Sequence, residues 1–221
     1  MSKANILDST LGRKLLMGMT GIFLISFLVV HVGINSCIFL NDHGATFNIA
    51  AHFMSHNIVI RIMEVGLFIG LLLHMFLALR LTLKNNKARP VKYAVNNGAA
   101  NSSWYSRSMG ILGSLLLMFL VVHLANFWVP TKISVFSGTD HNSFESMKVV
   151  FSKWYFVLIY IVGVFSLAYH LLHGFQSAFQ SLGVNHRKYS PLIKTLGVGF
   201  SIVVPTLFAA MPLTMAFGLI K

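Results

Sequence analysis

The chain has 221 residues, 56% of them hydrophobic and 10% charged, with a mean hydropathy of +0.73. A soluble domain carries about 25% charged residues, so this composition excludes a soluble globule and fits a protein whose perimeter is lipid. The net charge of +12 does not mark a nucleic-acid binder, because the basic residues sit in short loops between apolar runs, where the positive-inside rule places them.

Five apolar runs follow one another, at residues 15–40, 58–83, 109–129, 154–182 and 192–220. Each is long enough to cross a hydrocarbon core of about 30 Å. They predict an all-α integral membrane bundle of five helices joined only by loops. The polar residues 1–14 and the length of the first run do not read as a cleavable signal. Pro205 and Pro212 fall inside the fifth run and predict kinks there. The single cysteine, Cys37, excludes an internal disulfide. It also excludes an iron–sulfur cluster held by this chain alone, which needs about four thiolates.

Orientation follows from Lys and Arg. The N-terminus and the second and fourth loops hold Lys3, Arg13, Lys14, Arg80, Lys84, Lys87, Arg89, Lys92, Arg107, Arg187, Lys188 and Lys194, which is 12 of 17. The other side holds Arg61, Lys132, Lys148, Lys153 and Lys221. The bias predicts a cytoplasmic N-terminus.

An internal repeat links the first and third runs. Met17-Gly18-Met19-Thr20-Gly21 leads to Phe27-Leu28-Val29-Val30-His31, and Met109-Gly110-Ile111-Leu112-Gly113 leads to Phe119-Leu120-Val121-Val122-His123. Nine of the fifteen aligned positions are identical, at an offset of 92 residues. His74 and His170 echo each other at similar depths in the second and fourth runs. The pattern predicts a parallel duplication of a two-helix unit, with the fifth helix added.

His31, His74, His123 and His170 each lie 14–16 residues into their runs, roughly 21–24 Å along a helix axis. Alternate helices run in opposite directions. His31 and His123 therefore fall at one depth, toward the outer face, and His74 and His170 at another, toward the inner. An imidazole in hydrocarbon is costly unless its nitrogens are satisfied. A haem iron with two axial histidines satisfies a pair at once. The competing reading for each ring is a hydrogen bond to a Ser or Thr across helices. Gly18, Gly21, Gly110 and Gly113 lie near the level of the inner pair, as room for a haem or as ordinary small-residue packing. His173 follows His170 by three residues. His170 is preferred because its depth matches the repeat and Gly174 leaves room beside its ring. His173 is left to a propionate or a quinone. His43, His52, His56, His141 and His186 read as solvated loop or helix-end residues.

Glu64 is the one acidic residue inside a run, with Arg61 one turn before it. It reads either as an (i, i+3) ion pair at the interface or as a proton acceptor beside a quinol site. Arg13, Arg80 and Lys84 are candidate partners for propionates of the inner haem. Lys132 and Lys153, with Trp128, are candidates at the outer one.

With these residues in place, the chain resembles the di-haem cytochrome b subunit, the membrane anchor, of succinate dehydrogenases and fumarate reductases. The resemblance covers nearly all of the chain. It rests on five spans, one ligand histidine in each of the first four, and the run Ala168-Tyr169-His170-Leu171-Leu172-His173-Gly174. The opening Gly12-Arg13-Lys14-Leu15-Leu16-Met17-Gly18-Met19-Thr20-Gly21 and the loop Lys87-Ala88-Arg89-Pro90-Val91-Lys92-Tyr93 look like the branch found in Bacteroidetes-type bacteria. The resemblance implies two haem b groups, the inner one on His74 and His170 and the outer one on His31 and His123. It implies a flavoprotein with covalent FAD and an iron–sulfur subunit on the cytoplasmic side of a bacterial inner membrane. Succinate is oxidised to fumarate at the flavin, or the reverse. Electrons cross the iron–sulfur clusters and both haems and exchange with a membrane quinone, menaquinone in this branch. No succinate chemistry is implied on this chain itself. Some di-haem fumarate reductases carry a glutamate two positions before the fourth-helix ligand; Ala168 stands there, so that position offers no carboxylate for a proton path through it.

Two rival readings remain. The cytochrome b of the bc complexes puts two ligands on one helix about 13 or 14 residues apart, and no helix here does. A proton-coupled transporter with histidine relays would need no haem.

Overall fold

The structure, a computed structural model, describes residues 9–87, 100 and 102–220, apart from the Asn86 side chain. Lys3, Arg89, Lys92 and Lys221 of the charge count, and residues 88–93 of the family-like loop, lie outside them. Among the described residues every element is helical: α1 (Thr10–Ser36) with a 3₁₀ turn (Cys37–Leu40), α2 (Ala45–His56), α3 (Ile58–Lys87), α4 (Trp104–Arg107), α5 (Met109–His123), a π-helical turn (Leu124–Trp128), α6 (Val129–Ser137), α7 (Ser143–Phe151), α8 (Trp154–Ser181) and α9 (Ser190–Ala216). Five helical segments are long and apolar enough to cross a membrane: Thr10–Leu40, Ile58–Asn85, Met109–Ser137, Trp154–Ser181 and Ser190–Ala216. The chain is a multi-pass membrane protein.

The boundaries differ from the apolar runs for local reasons. The first helix begins before the apolar stretch because Ser9 caps it, its Oγ accepting from the Gly12 N–H at 2.9 Å. The third span passes through Pro130 to Ser137 instead of ending at Val129. Proline has no N–H to bond the carbonyl four residues back. The wider turn ahead of it, closed by the Val129 N–H on the Leu124 carbonyl, absorbs the mismatch and lets the helix continue.

α8 is the hub. It packs on α9, α1 and α5, and α1 packs on α3. Gly18 makes the α1–α8 approach possible, since a Cβ there would stand 3.0 Å from the Ala178 carbonyl oxygen. Side chains close the remaining edge, between α3 and the third span, through Glu64–Lys132 and Phe68–Trp128. Large apolar residues stay exposed around the perimeter, among them Ile62, Ile69 and Leu72 on α3 and Met118 and Val121 on α5, as a lipid-facing surface requires.

One end of the bundle carries the start of α1 and the end of α3, with Arg13, Arg80, Lys84 and Lys87; it is called the basic end here. The opposite end is capped. Both loops there were expected to be plain connections, but they fold into α2 and α7. Asn48 joins the two. Its Nδ2 donates to Asn142 Oδ1 and its Oδ1 accepts from the Phe144 N–H, both at 3.0 Å. Phe144, Met147 and Phe151, one face of α7, are buried with Ile38 and Phe47 in the main apolar core.

Gly44 is where the cap closes. Its φ is +77°, and a Cβ on it would stand 2.2 Å from the Phe144 ring. Gly44→Ala is expected to destabilise the protein by about 2–4 kcal/mol, from left-handed strain plus overpacking. Thermal unfolding in detergent reads this as a fall in Tm of several degrees. An unchanged Tm would contradict the packing.

Candidate functional site: two histidine pairs

The four deep histidines come together as two pairs. His31 on α1 and His123 on α5 have ring centres 5.7 Å apart. His74 on α3 and His170 on α8 have ring centres 6.2 Å apart. Each pair joins helices whose principal packing is with common neighbours and not with each other, so the pairs cross the bundle.

The first pair lies in aromatic surroundings. Phe27 stacks on His31 at 5.1 Å and Phe119 lies 5.6 Å from His123. Both phenylalanines precede their histidine by four residues, so the repeat places the same ring contact in both halves. Phe208 of α9 lies 5.6 Å from His31, and Phe127 and Tyr160 lie 5.6 and 5.9 Å from His123. The Tyr160 hydroxyl reaches His123 Nδ1 at 3.5 Å, and Asn35 Nδ2 reaches His31 Nδ1 at 3.4 Å.

The second pair has a sharper polar partner. Thr20 Oγ1 donates to the Leu16 carbonyl at 2.9 Å and lies 3.2 Å from His74 Nδ1. With its proton committed to that carbonyl, the hydroxyl presents a lone pair to the ring. Nδ1 then carries the hydrogen, and the Nε2 lone pair is left free. Thr20 precedes His31 by 11 residues on the same helix, so the two pairs stand about 16 Å apart along the bundle.

The residues fit a metal held between two imidazoles. At about 2.0 Å per metal–nitrogen bond, two axial imidazoles have ring centres about 6 Å apart, which both pairs meet. His170 Nδ1 is buried with no hydrogen-bond partner, an unmet polar atom that calls for an explanation. Two histidines without a carboxylate or thiolate beside them suit axial ligation of a haem iron better than a compact metal cage. Among the described residues no group of three or more His, Cys, Asp or Glu could hold a metal ion by itself.

His173 does not meet His74. It lines a polar cavity of about 190 Å³ with Tyr105, Ser106, Gln176, Ser177 and Gln180. A Cβ at Gly174 would stand 3.9 Å from His170 Cδ2, an ordinary contact, so the His170 ring does not depend on a glycine there. The four repeat glycines diverge. Gly18 and Gly21 pack against Ala178, while a Cβ at Gly110 or Gly113 would meet nothing within 4 Å.

Glu64 sits in a clamp toward the capped end. Its Oε2 accepts from Lys132 Nζ at 2.7 Å and lies 3.3 Å from Arg61 Nη1. Its Oε1 accepts from Trp128 Nε1 at 2.5 Å. The Arg61 pair was legible from spacing. Lys132 and Trp128 were not read as partners of Glu64, because they come from the far side of the π-helical turn. Lys153 lies at the start of α8 with its Nζ 5.9 Å over Phe156. Arg13, Arg80 and Lys84, with Lys87, line one cavity at the basic end. Of the histidines expected in loops, His52 and His56 lie on α2 with their rings stacked at 3.9 Å.

Comparison with known protein families, with curated proteins and with solved structures finds no match to this chain.

Proposed function

We propose that the chain is the di-haem cytochrome b membrane anchor of a succinate:quinone oxidoreductase in a bacterial cytoplasmic membrane. The observation that carries this reading is the two facing imidazole pairs, with ring centres 5.7 and 6.2 Å apart, stacked at two depths of one bundle. Haem b bound at each pair supplies one-electron transfer. His74 and His170 hold the group at the basic end, and His31 and His123 hold the group at the capped end.

The other residues act on those ligands. Thr20 fixes the His74 tautomer, and the Tyr160 hydroxyl oxygen, able to accept from His123 Nδ1, orients the His123 ring. The aromatic residues around His31 and His123 exclude water. Arg13 shares the face of α1 that carries Thr20 and is the nearest cation, by register, for a propionate at the basic end. Glu64 at the capped end and His173 at the basic end are the two proton-exchanging groups in polar surroundings where a quinone, menaquinone on this reading, would gain or lose protons. The basic end faces the cytoplasm. There a flavoprotein with FAD and an iron–sulfur subunit dock and exchange electrons with the His74–His170 side. The Phe-x-x-x-His ring contact in both halves supports a parallel duplication of a two-helix unit.

The test is purification of the tagged full-length chain from membranes in mild detergent. Two larger subunits should come with it, one carrying covalent flavin, and succinate should reduce its b-type spectrum. A b-type chain that purifies without a flavoprotein and ignores succinate would be a different quinone-linked cytochrome.

Thr20→Val tests the polar support of His74. Loss of such an outer hydrogen bond weakens metal-site affinity by about 10–100-fold. The expected result is faster loss of one haem on dilution into haem-free detergent, with the other retained. Equal retention of both haems would remove Thr20 from the site.

A further inference from the structure

We propose that the basic end binds an anionic phospholipid, with its phosphate in the cavity between α1 and α3 and its acyl chains on the exposed face of α3. The cavity is about 340 Å³ and is lined by Arg13, Arg80, Leu83, Lys84 and Lys87. The described carboxylates, Asp42, Glu64, Asp140 and Glu145, belong to the capped end and its helices. Among the described residues the cavity lining carries four cations and no acidic side chain. Arg13 is buried and donates to Thr10 Oγ1 at 3.5 Å. The three cations of α3 are exposed.

Helical register decides which anion suits them. Arg80, Lys84 and Lys87 follow at i, i+4 and i+7 and form one stripe. At about 100° per residue they stand about 120°, 80° and 140° round α3 from His74, all on the same side. They do not share the imidazole's face, so a propionate at that pair is not their natural partner. The stripe borders the lipid-facing side of the helix instead. Leu72, Phe76, Leu79 and Leu83 are 50–60% exposed there. The Arg80 guanidinium lies 5.6 Å over the Phe76 ring, so it spans the boundary between apolar face and cavity, as a snorkelling side chain does. A phosphodiester with two acyl chains matches both halves of this surface. Basic pockets between membrane helices recognise such headgroups. Free phosphate would match the cations alone.

Lipid binding by the three α3 cations, Arg80, Lys84 and Lys87, needs only the membrane bundle and not a bound haem. It is tested on purified full-length protein by native mass spectrometry, titrating dioleoyl phosphatidylglycerol and dioleoyl phosphatidylcholine separately. Phosphatidylglycerol is expected to be retained and phosphatidylcholine lost. The triple variant Arg80→Gln/Lys84→Gln/Lys87→Gln should weaken phosphatidylglycerol binding about a hundredfold, at about fivefold per cation. The variant Arg80→Lys/Lys84→Arg/Lys87→Arg should retain it. If the triple glutamine variant does not fold, Lys87→Gln alone at the helix end should show the fivefold loss. Equal binding of the two lipids, or undiminished binding by the glutamine variants, would overturn the proposal. So would displacement of the lipid by inorganic phosphate at matched concentration, or loss of a b-type absorbance with lipid binding intact.

Discussion

His74→Ala and His170→Ala are each expected to remove the same one of two b haems, and His31→Ala and His123→Ala the other. Each pair would hold one haem between its two rings, so losing either ring would leave the group a single protein ligand. The expected magnitude is half of the reduced-minus-oxidised absorbance, about one haem per chain. The double variant His74→Ala/His170→Ala should lose no more than either single change, because the two residues act as a unit. His31→Ala/His74→Ala should lose both haems. His173→Ala should keep both, since its ring lies in the polar cavity and not against His74. Loss in a crossed pattern, with His74 grouping with His31 or His123, would refute the pairing.

Glu64→Ala is expected to destabilise the protein by about 2–4 kcal/mol. Lys132 is only 11% exposed as a side chain and Glu64 only 20%. Removing the carboxylate leaves an ammonium shut among apolar helices with Arg61 as its neighbour. Breaking a buried ion pair on one side costs more than the pair contributes net. The double variant Glu64→Leu/Lys132→Met should therefore recover most of the lost stability. Thermal unfolding in detergent measures both. If Glu64→Ala unfolds at the wild-type temperature, the clamp does not hold the second span to the third. A double variant that is stable but no longer exchanges electrons with quinone would assign Glu64 a chemical role in addition to the structural one.

The spans were legible in the sequence because lipid imposes one rule on long segments, and the five runs obey it. The pairing of His31 with His123 and of His74 with His170 was legible because alternate helices reverse direction. Depth along the run then sorts the rings without knowledge of which helices touch. What was not legible depended on side chains arriving from distant segments. α2 and α7 are too short to stand out as apolar runs, although Phe144, Met147 and Phe151 at i, i+3 and i+7 mark a buried face. The continuation past Pro130 was hidden because proline reads as a stop unless a wider turn precedes it. That turn also carries Trp128 and Lys132 round to Glu64, so the clamp and the longer helix were missed together. The duplication is visible in the letters more than in the packing, since Gly18 is pressed against α8 and Gly110 is not.

The most direct measurement is the haem content of the purified chain, by dithionite-reduced minus oxidised spectroscopy and pyridine haemochrome quantitation against protein concentration. A b-type spectrum and two haems per chain are expected. A helical, stably folded and colourless protein would contradict this.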